Sequence, residues 1–506
     1  SNDGCAARPA HSSRHARSAP PRFIPANVTV PVGESRTIKL KNQADQSFTV
    51  GGYDASVIAV TVDKATRNIT LTGLTPGETI IIAVNAEGLF VAARVAVKPL
   101  AGKVPGDINA EVTGNPARRS TLAQAAAAAA EKAIVLEPQA KLSIDEENII
   151  APVTLGQDEL ADVRVPVVIS GPGYLTLKTK VAVSVYNHPI SMKDDDVLIV
   201  SNNPETVDRA GILFDGTIKK ATAARLMYYH KNVGEKLLHF IVTLINKGDS
   251  PVKLCAFSGT ATANPDGLLA GHQSTLMFLN NIRSVNSVIM VIPPHSFANV
   301  YNQAVEPGRV TTGLFKVLPL EGGDIAYEIK AQNGTPGKLS VLPKIEPAVR
   351  NFQVSGTFAA PTVDLFQDYN TKENYANINL GDTPVFKSIE ADEVLKGNYG
   401  VMYRIHFNLK NDLASTTEPV RLYYASGGGL ARGVFLVNGS LVDTKLVGGN
   451  IPEEEFYSTY LNPKQTKELV VTTIPQAGSF YPTSVEVWGS SRDTQQLPEE
   501  ISKANP

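Results

Sequence analysis

Asp364, Asp368, Asn370 and Glu373 put four oxygen-bearing side chains within ten residues, and the chemistry such a set could do is to hold a hard cation such as calcium. The glycine and the ligand spacing of a helix–loop–helix calcium loop are missing, so the four would have to converge from an irregular loop. Asp194, Asp195 and Asp196 are denser still, but three adjacent carboxylates on extended backbone cannot all point at one ion, and a solvated loop is expected there. The glycine-rich run Gly427–Gly433 follows a strand pattern. A phosphate cradle needs such glycines to open a helix, and here a strand pattern follows, so the run reads as a turn. His230, His239 and His406 lie on strand patterns without the convergent ligands that a metal site needs, and His11 and His15 lie in a polar tail. No Gly-x-Ser-x-Gly elbow, His-Glu-x-x-His pair or Cys-x-x-Cys occurs. A non-enzymatic chain is expected, with no catalytic or cofactor-binding residues and with calcium at residues 364–373 as its metal candidate.

The elements that would position these residues are short strands, and one stretch of them reads as written twice. Leu238–Phe257 and Tyr403–Tyr424 each carry an alternating strand, a turn opened by Asn246 or Asn411, and then Pro-Val-basic-Leu starting a second strand, which together read as a repeated hairpin. Downstream, Glu306-Pro307-Gly308 before one strand parallels Leu461-Asn462-Pro463 before another. The copies diverge after the hairpin. The first has an insert that predicts a helix over Gln273–Ile282, and the second has a hairpin turning at Asn438-Gly439.

Five segments follow from these patterns. Residues 1–22 form a basic arm of Ala, Ser, Pro and Arg, and 23–99 form a β-sandwich with turn signals every 8–12 residues. Residues 100–189 form an α+β module whose alanine-rich helix runs over 117–136, with Leu122, Ala126, Ala129, Ala133 and Ile134 as its buried stripe. Residues 190–347 and 348–506 hold the two copies. The fold class is mainly β: multidomain immunoglobulin-like sandwiches with one α+β module.

Within 23–99, Val-Gly-Glu before the first long strand, Ser-Val-Ile-Ala-Val-Thr in the middle and Leu-Thr-Gly-Leu-Thr-Pro-Gly-Glu-Thr before the penultimate strand resemble a bacterial immunoglobulin-like domain of group 2. They are similar also to the small domain that opens some pilus-associated secretins. The resemblance covers about 75 residues and implies a cell-surface or periplasmic structural module with no catalytic residues to carry over.

The 506 residues are 43% hydrophobic, enough for real cores, and carry a net charge of −2, which gives no footing for a nucleic-acid partner. No apolar run reaches the ~20 residues of a membrane span. The chain opens on Ser with no signal pattern, and removal of a leader from a secreted protein is the expectation. Cys5 in the tail and Cys255 in a strand leave a disulfide between them open. The single Trp and the few exposed-looking aromatics argue against a carbohydrate groove.

Two functions remain. One is a secreted, self-assembling surface or filament subunit whose partner is a second copy of itself. There the arm or an edge strand docks on the next subunit, with Phe23, Ile24, Val28 and Val30 as docking residues. The other is a monomeric adhesin or scaffold that binds a cell-surface glycan or a protein, through a patch in the variable inserts Gly271–Asn286 or Gly427–Thr444.

Overall fold

The computed structural model describes residues 21–41, 47–334, 341–349 and 352–492. The basic arm and Cys5 therefore lie outside the described residues. The chain divides into two compact units: Ser1–Ile108, Ala127–Ile150 and Arg164–Val183 make the first, and Asn109–Ala126, Ala151–Val163 and Ser184–Pro506 the second. The stretch expected as a separate α+β module is thus shared between them. The reason lies in strand pairing: Asn109–Thr113 runs parallel to the end of Leu177–Asn187 and antiparallel to Ser287–Ile292, which belongs to the first repeat copy. The alanine-rich helix spans Arg119–Ala133, and its buried line is Leu122, Ala125, Ala126 and Ala130, with Ala129 and Ala133 half-buried.

In the first unit, residues 22–98 form an immunoglobulin-like sandwich of two four-stranded sheets. One sheet has the order Arg22–Ile24, Ser35–Lys41, Asn68–Gly73, Ile58–Asp63; the other has Asn27–Pro31, Phe90–Lys98, Gly77–Asn85, Phe48–Gly51. Period-two alternation sends Ile38, Leu40, Ile69, Leu71, Ile81, Val95 and Val97 into a common core and their neighbours to water. The chain changes sheets between its first two strands, so that Asn27–Pro31 lies parallel to the last strand.

The second unit is dominated by two further sandwiches in tandem. In the first, one sheet contains in order Val197–Ser201, Ala224–Asn232, Val310–Glu321, Val252–Thr260, Ser287–Ile292, extended by Gly356–Ala359 beyond the first of these and Asn109–Thr113 beyond the last, and the facing sheet has Gly211–Ile218, Ile325–Gln332, Leu238–Asn246, Ser296–Val305. In the second, the sheets are Thr362–Asn370, Met402–Lys410, Thr466–Thr473, Val434–Val437, Ser440–Asp443 and Tyr375–Leu380, Thr483–Trp488, Glu418–Ser426, Glu453–Leu461. Strand for strand the two orders are the same, and eight of the nine strands in each follow the double Greek key of a jelly roll.

The duplication is therefore real, but its register differs from the one the residue pattern suggests. Asn411 corresponds to Asn232 rather than Asn246. The amide of Asn232 donates to Lys236 O (2.9 Å) and Val305 O (2.8 Å), and its Oδ1 accepts from the Gly234 amide (3.0 Å). The amide of Asn411 donates to Thr416 O (2.8 Å) and Leu461 O (2.9 Å), and its Oδ1 accepts from the Leu413 amide (3.0 Å). Even the backbone contacts agree: Asn232 N reaches Arg309 O, and Asn411 N reaches Gln465 O. Asn246 makes the same kind of corner at the next crossing, to Ser250 O and Ile292 O. None of these turns closes a hairpin. Each carries the chain from one sheet to the facing one, where a buried turn would orphan its carbonyls, and the asparagine amide supplies the missing donors.

The two sandwiches share a core. Leu198, Val200, Met227 and Leu314 point from the first to the second, joining Tyr403, Ile405, Phe435 and Val471, while Ile199, Leu226, Tyr228 and Phe315 on the same strands fill the first sandwich itself. A sheet covered on both faces is buried at successive positions, as Val310–Leu318 is, although Thr311, Thr312 and Lys316 interrupt its apolar residues. The insert helix runs from Gly267 to Arg283, a turn and a half longer at its start than the pattern predicts. Asp266 caps it by accepting from Leu268 N and Leu269 N, and Phe278 and Leu279 enter the shared core. The hairpin at Asn438-Gly439 forms as expected, with both residues at positive φ. Among the described residues no helix is long and apolar enough to cross a membrane.

Candidate ligand-binding cleft

A cleft of about 650 Å³ opens where the two jelly rolls meet. Strand alternation puts Met227 and Tyr229 on its wall, and the start of the insert helix brings Asp266, Gly267 and Leu268. The connection between the sandwiches supplies Phe352, Gln353 and Val354, the short turn before Met402–Lys410 supplies Lys396 and Tyr399, and the glycine-rich loop supplies Leu430 and Arg432. Ser479, Phe480 and Tyr481 close the far side.

One end is acidic and hydroxylated. Burial pushes the Tyr229 phenol up to about 12, and the negative charges of Glu205 and then Asp266 add to it. Burial likewise pushes Tyr399 to about 12, so both hydroxyls stay protonated and can donate. Tyr399 donates to Ser479 O at 2.8 Å, and Gln353 Nε2 donates to Glu205 at 2.6 Å. Gly267 lets the helix start lie close to this ring: a Cβ there would stand 2.1 Å from the Tyr229 hydroxyl, and the ring would have to shift. The rim is aromatic and wet: Phe352 is 77% and Phe480 63% exposed, and the Lys396 ammonium lies 4.8 Å over the Phe352 ring.

Arg432 differs from its neighbours. Its backbone is fixed, N–H to Ser479 Oγ (3.2 Å) and carbonyl to Gln476 Nε2 (2.5 Å), yet its Nε is buried with no hydrogen-bond partner among the described residues. The cleft offers rings, phenol hydroxyls, carboxylates, an amide, an ammonium and a guanidinium.

The residues singled out from sequence fall elsewhere. Asp364, Asp368 and Asn370 occupy alternate positions of one extended strand, so that Asp364 and Asn370 stand about 20 Å apart, and Glu373 follows in the turn. Asp364, Asp368 and Asn370 each have their own partner. Asp364 accepts from Arg404 (2.8 and 2.9 Å) and His406 (2.9 Å), Asp368 from the Asn408 amide (2.8 Å), and Asn370 donates to Asp412 (2.5 Å). Arg404, and His406 after it, hold the Asp364 carboxyl down at about 2. The four are not brought together, and among the described residues no group of three or more His, Cys, Asp or Glu could hold a metal ion.

The three adjacent acids are not a solvated loop but a junction. Asp194 faces Arg404 of the second jelly roll in a two-point pair (2.9 and 3.0 Å). Asp195 is buried between Arg225 (2.5 Å) and Lys316 (2.7 Å), and Arg225 also donates to Gly400 O at 2.8 Å. Asp196 accepts from the Ala223 amide (2.7 Å) and from Lys193 (3.0 Å).

The docking residues also have a different place. Phe23 and Ile24 pair with Leu40 and Lys39, Val28 and Val30 pair with Val95 and Val97, and Phe23 and Val30 are core residues of their own sandwich. Cys255 is buried and, among the described residues, free, its thiol pushed up to about 12 by burial.

Sequence reasoning placed the binding patch in the two inserts. The glycine-rich one contributes Leu430 and Arg432, and the other approaches the cleft only through the residues that start its helix. Phe352 was missed, although a lone aromatic in a polar connection between two domain patterns is a usable signal.

No family model matches the chain, and no curated protein does. Solved structures with similar stretches include the N-terminal Ig1–2 module of the Drosophila receptor protein tyrosine phosphatase DLAR, 13% identical over 34% of this chain and 100% of that one, with a TM-score of 0.15. The fibronectin(III)-like modules of Clostridium thermocellum CbhA are 15% identical over 33% of this chain and 94% of theirs, with a TM-score of 0.15. Lac15 from a marine microbial metagenome is 13% identical over 89% of this chain and 85% of that one, with a TM-score of 0.12. TM-scores this low carry no weight, and the architecture rests on the strand order described above.

Proposed function

We propose that this chain is a non-enzymatic binding protein that holds its ligand in the cleft between its two jelly rolls. The observation that carries this reading is the cleft's rim. The fold buries Phe240, Phe257, Phe278 and Phe315, and of its exposed phenylalanines Phe352 and Phe480, unlike Phe90 and Phe366, line a cavity large enough for a ligand. Glu205, Gln353, Asp266 and Tyr229 offer the few directed polar groups that such a site needs for orientation. A cell-surface glycan or a protein segment is the class of ligand that fits. The resemblance of the N-terminal sandwich to bacterial group 2 immunoglobulin-like domains supports a surface or periplasmic setting for it.

Self-assembly into a filament is the second reading, and edge strands keep it open: Asn27–Pro31 and Phe48–Gly51 each have one paired side. It no longer has a docking strand in Phe23–Val30, which the sandwich uses itself. The two readings separate in one pair of measurements. Negative-stain electron microscopy across a concentration series should give dispersed particles. On a glycan array the wild type should give signal that falls at least tenfold in Phe352→Ala and Phe480→Ala. Regular fibres, undisturbed in both variants, would sink the binding reading in favour of assembly.

A further inference from the structure

We infer that the ligand of this cleft is an oligosaccharide carrying a carboxylate, with the carboxylate seated on Arg432; this rests on the cleft being the binding site.

Arg432 is the first ground. The Nε–H of an arginine and its neighbouring Nη–H form a fork that matches the two oxygens of a carboxylate, and a buried guanidinium donor left without an acceptor is costly. Here Nε is buried and unpartnered among the described residues, although the backbone of the same residue is tied down on both sides by Ser479 and Gln476. The residue lines the cleft, and among the described residues its side chain forms no ion pair; His272, itself paired with Asp443, is the titratable group beside it. Buried polar groups in folded proteins find partners, and a ligand carboxylate supplies the one absent here.

The rest of the cleft describes what bears that carboxylate. Phe352 and Phe480 are exposed aromatic rings at the rim, one of them with Lys396 over a face, and such rings suit the C–H faces of sugars. Glu205, Gln353, Asp266 and the Tyr229 hydroxyl combine donors and acceptors, as a ligand with many hydroxyls requires. An extended peptide bound by strand addition would instead call for an unpaired strand edge, whereas the strand nearest the cleft, Ala224–Asn232, is paired on both sides. The charges along the cleft, Glu205 and Asp266 against Lys396 and Arg432, balance. A polyanion is therefore not favoured, and one acidic sugar among neutral ones is.

The test uses the full chain on an array of neutral and uronate- or sialate-bearing oligosaccharides. Calorimetry follows with the best binder and with its methyl ester. The strongest signals should be carboxylate glycans, and esterification or Arg432→Gln should each weaken binding at least tenfold. Arg432→Lys, which keeps the charge but loses the fork, should fall close to Arg432→Gln, with thermal melts confirming that both variants fold. Phe480→Ala should weaken the acid and its ester alike. If neutral glycans bind equally well and only Phe480→Ala matters, the carboxylate inference is wrong and the cleft reading survives. If peptides with a free C-terminal carboxylate bind in place of glycans, the inference is overturned as well. Absence of any cleft-dependent binding would end both.

Discussion

His230 shows how much one residue's environment decides. From sequence it is a strand histidine without the convergent ligands of a metal site, expected to be held by hydrogen bonds. In the structure it is fully buried between the Pro204 carbonyl (2.8 Å) and Ser201 Oγ (2.9 Å), and burial lowers its pKa to about 4 against an ordinary 6.5. The unfolded chain therefore takes up this proton first as pH falls. Stability contributed by neutral His230 is complete above pH 6.5 and is lost as pH drops toward 4, by about 3 kcal/mol over that window. Urea unfolding at pH 7 and at pH 4.5 should show this loss, and His230→Gln, which cannot titrate, should show a shallower one. Asp364 illustrates the opposite case. Its partners Arg404 and His406 lie far along the chain, and only strand pairing brings them to its carboxylate.

At the scale of elements, the insert helix Gly267–Arg283 packs against strands of both jelly rolls. It packs so close that a Cβ on Gly271 would stand 1.8 Å from Ala477 O, and one on Gly259 would stand 2.2 Å from Ser274 O. These glycines serve as spacers, not as turns. A substitution must push backbone from backbone, which in a packed interior costs about 1–3 kcal/mol or more. Gly271→Ala should lower the thermal midpoint by several degrees. It should also separate the two jelly rolls into distinct calorimetric transitions if the helix is what couples them. The same helix forms one shoulder of the cleft, so its displacement should weaken ligand binding too.

At the scale of the whole molecule, Asp194–Asp196 tests how ionic contacts divide between structure and surface. Asp195 compensates two buried cations, and Asp195→Asn leaves Arg225 and Lys316 without their anion; the expected cost is about 3–5 kcal/mol. Asp194→Asn breaks a half-exposed pair with Arg404, which keeps Asp364, and should cost less than about 1 kcal/mol. Equilibrium denaturation of the two variants side by side checks the contrast. Equal effects would mean that Asp195 does not bear on the junction as its burial implies.

Much of the architecture was legible before any fold was known. Period-two patterning, turn residues and continuous apolar runs specify strands and sandwiches because they act within a few residues, and the type I′ turn at Asn438-Gly439 is local in the same way. The duplication was visible too, but one strand out of register. Asn246 and Asn411 share a local solution to a sheet-to-sheet turn, and local pattern cannot say which of several asparagine corners is equivalent. What only tertiary structure decided is which distant groups meet: Asp194 with Arg404, Asp195 with Arg225 and Lys316, and Phe352, Arg432 and Phe480 around one cleft. These depend on how two sheets of the second unit stack, a choice made by a core drawn from both jelly rolls and encoded in no single stretch of chain.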